Sequence, residues 1–65
     1  MTREETWVMV QRAVAVGDVE DTLNAIAEWL VADAVDERNP HVRACLDSAA
    51  HHCRSAAMDY YVSTK

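Results

Sequence analysis

The sequence contains no phenylalanine, one glycine (Gly17), one proline (Pro40) and two cysteines (Cys45 and Cys53) in 65 residues. So little Gly and Pro leaves few places to turn, which is the punctuation of a helical chain. Two cysteines with neither a CxxC pair nor zinc-finger spacing exclude a disulfide framework or a structural zinc as the main support of the fold. No stretch approaches the roughly 18 apolar residues that cross a bilayer. The opening Met1-Thr2-Arg3-Glu4-Glu5 also lacks the apolar segment of a secretory signal. The expected place of action is therefore the cytoplasm, or a host's cytoplasm if the chain is phage-encoded, with both thiols reduced.

Positive charge is the other scarcity. Between Asp18 and Glu37 stand seven acids and no Lys or Arg, within a chain whose formal charge is −5. From His41 onward Arg43, Arg54 and Lys65 face only Asp47 and Asp59, so an acidic front is followed by a near-neutral, histidine-bearing back. Direct binding to DNA is not expected. A third helix offering only Arg43 and Arg54 to phosphates, opposed by Asp47 and Asp59, would be repelled over most of its surface.

Apolar residues are plentiful, 51% of the chain, with many Ala and Val. A chain this short is one domain, and it buries only about 60% of the surface its unfolded form exposes. Something must supplement so thin a core, and dimerisation is the simplest supplement.

The punctuation divides the chain into three helices. Thr2 followed by Glu5 fits a capping box, starting a helix over about 3–16. Its Trp7, Val10 and Val14 share one face at about 100° per residue, flanked by Thr6, Met9, Ala13 and Val16. This broad apolar arc suggests more than one neighbour. Gly17 suits the left-handed residue that ends a helix, and Asp18 caps the next, with Glu20 and Asp21 complementing its dipole. In this second helix, over about 19–35, Val19, Leu23, Ile26, Leu30 and Ala34 form a narrow seam of the kind that packs on one antiparallel partner. Asn39 and Pro40 open a third helix running to about residue 61. Its stripe of Val42, Cys45, Leu46, Ala49, Cys53, Ala56, Ala57 and Tyr60 consists mostly of small side chains, which bury little area each. The expected fold class is all-α, with three short antiparallel helices, a hairpin plus a third helix, completed as a bundle by dimerisation.

Three groups of residues could carry function. On the third helix His41, Cys45 and His52, with Ser48 and Asp59, lie along one edge of the apolar stripe. His41 and Cys45 could share a soft metal ion, but one helix cannot close a tetrahedral site. The alternative is that these residues fringe a packed face, with the cysteines acting as small hydrophobes. Nucleophilic catalysis by Cys45 with His41 lacks a strained or Gly-rich turn to supply oxyanion donors. The second group is Glu20, Asp21 and Glu28, either the wet face of helix two or a negative surface aimed at a basic groove. The third is Trp7, Met9, Trp29, Met58, Tyr60 and Tyr61, too many large residues for one three-helix interior; Met9 and Trp29 in particular sit off the main stripes, and some of the six would serve as anchors in a dimer or for another protein.

The expectation drawn from these is a non-enzymatic, cofactor-free interaction module. It would bind and modulate, by inhibition, a larger protein or complex through Trp7, Met9, Glu20, Asp21, Glu28 and Trp29. Its style suits a phage or mobile-element inhibitor of a host regulator or defence system. Alternatives are an acidic DNA mimic that blocks a nucleic-acid-binding protein, a small metal carrier using His41, Cys45 and His52, and a subunit that completes another protein's bundle.

Overall fold

The computed structural model describes residues 2–64, which form three helices: α1 (Arg3–Val16), α2 (Val19–Asp36) and α3 (Pro40–Thr64). Their starts are set by local chemistry. The Thr2 hydroxyl accepts the Glu5 N–H at 3.2 Å, the Asp18 carboxylate accepts the Asp21 N–H at 2.9 Å, and the Asn39 side chain accepts the His41 N–H at 2.9 Å. Each satisfies one of the donors that a helix leaves orphaned at its N-terminus.

Gly17 ends α1 with φ of 80°, donating its N–H to the carbonyls of Ala13 and Val14 at 3.0 and 3.1 Å. A Cβ placed there would meet nothing within 4 Å, so the requirement for glycine is conformational, not steric. Gly17→Ala is therefore expected to lower stability by about 1 kcal/mol, the cost of holding an L residue left-handed. Gly17→Asn should cost less, and thermal melts of the two variants compare them directly.

The α2–α3 loop is pinned from the far side by Arg43. Its guanidinium donates twice to the Glu37 carbonyl, at 3.1 and 2.5 Å, where α2 ends. The third helix runs three residues beyond the expected end near residue 61. No glycine or proline stands there to stop it, and Thr64 closes its last turn by donating its hydroxyl to the Tyr60 carbonyl at 3.0 Å.

The helices run antiparallel to their chain neighbours. Arg3 meets Asp33 and Trp7 meets Trp29 between α1 and α2, while Glu28 meets Arg54 between α2 and α3. Among the described residues α1 and α3 do not touch: α2 lies between them, packed on both edges. The Cα extents are 39 × 22 × 13 Å, and the 22 Å width is that of three helices in a row at spacings of about 8–10 Å. The radius of gyration, 12.2 Å, exceeds the roughly 10.7 Å of an ordinary domain of this length. The architecture is an open layer one helix deep.

This layer corrects two expectations about the core. The Val19–Leu23–Ile26–Leu30–Ala34 seam of α2 does not pack on one partner: Ala34 alone of the five is buried, Val19 is exposed and the others are half-buried. The broad arc of α1 touches one neighbour, not several, so Val10 is buried while Trp7 and Val14 stay exposed. Small side chains line the edges where the helices meet. Ala25, Ala27 and Ala34 of α2 and Ala50 and Ala57 of α3 are all buried, and Ala27 is at 0% exposure. Alanine at such contacts lets backbones approach closely, but it removes little apolar surface from water. Thr6 is also at 0% exposure, and its hydroxyl is satisfied inside its own helix, donating to the Arg3 carbonyl at 2.8 Å.

Since α1 and α3 occupy opposite edges of α2, the layer has two broad faces. On one lies the Val19, Leu23, Ile26 and Leu30 ridge, with Trp7 and Val14 of α1 on one side and Leu46, Cys53 and Tyr60 of α3 on the other, as follows from their helical phase. The opposite face carries Asp21, Asn24 and Glu28 of α2.

Candidate protein-docking face

The polar face is built around two adjoining grooves. The first, about 360 Å³, runs between α1 and α2 and is lined by Met9, Arg12 and Val16 on one wall and Asp21, Asn24 and Glu28 on the other, with Ala13 and Ala25 below. The second lies between α2 and α3, where Glu20 and Asn24 face Arg54, Met58 and Tyr61 across Ala57. Asn24 lines both, so the grooves meet over α2.

Each groove has small residues underneath because alanine sets the helix spacing. Each has a methionine on its outer wall, which is 62% exposed in the case of Met58. Methionine is flexible and polarisable, a side chain that adapts to an incoming apolar surface. The carboxylates come from α2, and Arg54 donates to Glu28 at 2.6 Å. This pair is half-exposed, worth about 0.5 kcal/mol at most, and its effect is to hold both side chains along the groove rim.

Four of the six residues expected to meet a partner thus come together on this face: Met9, Asp21 and Glu28 in the first groove, and Glu20 in the second. The two tryptophans do not join them. Trp7 and Trp29 stack on each other, ring centroids 5.1 Å apart and tilted by 45°, at the α1–α2 contact. Met58 and Tyr61, also among the large residues the sequence offers as anchors, join the four, whereas Arg12, Asn24 and Arg54 were not singled out as partner contacts by the sequence. The acidic run of α2 facing the arginines of α3 was the available signal for Arg54.

His41, Cys45, Ser48, His52 and Asp59 all lie exposed along the outer edge of α3, turned away from α2. Among the described residues no other helix stands opposite them, and no three His, Cys, Asp or Glu side chains converge on a point where a metal ion could sit. Cys45 is exposed and Cys53 half-buried. No helix among the described residues is long and apolar enough to cross a membrane.

Comparison with known protein families, with curated proteins and with solved structures finds no match to this chain.

Proposed function

We propose that this protein is a non-enzymatic interaction module that binds a larger protein through its twin-groove face and inhibits it by obstruction. The observation that carries this reading is the convergence of Met9, Met58 and Tyr61 with Glu20, Asp21 and Glu28 on two grooves sharing Asn24. Apolar walls flanked by carboxylates complement an amphipathic helix or loop with Lys and Arg beside its apolar residues. Among the described residues no element stands opposite the candidate nucleophile Cys45 and its neighbour His41, which favours binding over catalysis. On this reading the module acts in the cytoplasm, a host's if the chain is phage-encoded.

A DNA mimic needs its acids in an exposed ladder. Here Glu28 is engaged by Arg54, Asp33 by Arg3 on the other face, and Asp18 by its own helix N-terminus. The protein-docking reading is accordingly preferred.

The test is affinity capture from the native host with wild type and two groove variants, Asp21→Lys and Met58→Ser, each checked for helical content. A defined partner retained by wild type and reduced at least tenfold in both variants is the expected result. Identical capture by all three proteins would rule the twin-groove face out as the docking site.

A further inference from the structure

The apolar face of the layer points to its own occupant. We propose that two copies of this chain pack through it, ridge to ridge about a two-fold axis, giving a two-layer, six-helix particle whose twin-groove faces look outward.

The first argument is architectural. Helical domains bury an apolar stripe by setting a second layer against it, and this chain supplies a single layer. Its ridge of Val19, Leu23, Ile26 and Leu30 is nowhere fully covered, and Val19 and Trp7 are 44% and 45% exposed.

The second is area. The accessible surface is 4702 Å², against about 4,200 Å² for an ordinary folded chain of this mass. A compact particle of twice the mass exposes about 6,900 Å², so two copies reach that value by burying about 2,500 Å² between them. That lies within the range of obligate homodimers, about 2,000–5,000 Å². The layer's 39 × 22 Å outline offers about 860 Å² of projected face per copy, close to what one side of a stable interface occupies.

The third is charge, and it selects a second copy over an unrelated protein. A chain of net charge −5 repels itself in most orientations. The charged side chains on this face are Arg3 and Asp33, which neutralise each other at 3.3 Å toward one end, and Asp18 at its border beside Val14 and Val19, whose carboxylate accepts the Asp21 N–H at the start of α2. This is the surface on which two identical acidic chains meet with the fewest like charges brought together. An isologous contact places each patch against itself, as a neutral apolar ridge permits.

Sedimentation equilibrium from sub-micromolar to high-micromolar concentration tests the proposal. The expected result is a single species of about twice the 7.3 kDa chain mass, dissociating only at the dilute end. A monomer throughout, which would leave the face to some other protein, overturns the proposal, and so does a trimer or larger species. Ile26→Asp, at the centre of the ridge, is expected to weaken association at least a hundredfold. Val35→Asp, on an exposed position away from the ridge, should leave it unchanged.

A measurement on wild type guards against a misfolded variant. Maleimide labelling of Cys53, which lies beside the ridge, should slow several-fold as concentration rises through the dimerisation range, and by more than labelling of the exposed Cys45. A Cys53 labelling rate that does not change with concentration overturns the proposal. The groove variants Asp21→Lys and Met58→Ser are expected to remain dimeric, which separates failure of this inference from failure of partner docking.

Discussion

Ala27→Leu is expected to unfold the protein, or nearly so. Ala27 is fully buried on the edge of α2 that faces α3, where Ala34, Ala50 and Ala57 are buried as well. The closeness of the two helices rests on these methyl groups, and the added carbons of leucine have nowhere to go unless the helices part. Overpacking a tight contact costs typically about 1–3 kcal/mol and sometimes more. A core in a chain this short supplies only about 3–5 kcal/mol in total, so the loss consumes most of the stability. Circular dichroism melts should show the midpoint falling by roughly 12–24 °C, the upper cost of about 3 kcal/mol scaled by about 4–8 °C per kcal/mol for small domains. Ala15→Leu, on an exposed position of α1, is the control and should stay within about 0.5 kcal/mol of wild type. Equal midpoints for Ala27→Leu and wild type would show that the alanine contact does not set the helix spacing.

The second large effect is expected at Trp29. Its half-buried ring lies 5.1 Å from that of Trp7, an aromatic contact that ties α1 to α2. Aromatic pairs contribute about 0.5–1.5 kcal/mol beyond the area they bury. Trp29→Ala should therefore cost about 2 kcal/mol, less than a fully buried tryptophan would. It should also shift the emission of the remaining Trp7 to the red, as for an indole in water. Trp7→Ala should cost less, and a double-mutant cycle should return a coupling of about 1 kcal/mol. Were Trp29 instead an anchor for a partner, its removal would leave the melt unchanged and weaken capture, so the same variant decides between the two roles.

Trp29 also marks what the sequence makes legible and what it does not. The helix starts were readable because caps are chemistry between residues two or three apart: Thr2 with Glu5, Asp18 with Asp21, Asn39 with His41. Gly17 was readable for the same reason. Periodicity likewise placed Val19, Leu23, Ile26 and Leu30 on one side of α2. It could not say whether anything covers that side, since the phase of apolar residues gives direction and not neighbours. The helix contacts themselves run through alanines, whose spacing carries little hydrophobic signal because alanine is also the default residue of an exposed helix. That is why Ala25, Ala27, Ala50 and Ala57 form the buried edges while the leucine seam is half-open.

The candidate docking site was legible in part on similar grounds. Glu20, Asp21 and Glu28 stood out by charge and Met9 by size, and they do converge. Met58, Tyr61 and Arg54 join them only because α3 runs antiparallel beside α2, a relation between helices that no local pattern encodes. The tryptophans stand apart from these residues: Trp29 lies off the main stripes and packs on Trp7, which shares the apolar face of α1.

The central position of α2 has a consequence for how the chain comes apart. Because α1 and α3 share no contact among the described residues, their free energies of docking add along a line, as in a repeat protein with nearest-neighbour coupling. Either outer helix can peel away and leave the other hairpin paired, but nothing holds once α2 itself unwinds. Protection of backbone amides in such a chain is graded, deepest in the middle helix and shallowest at the flanks, so cooperativity resides in one element and not in a shared centre.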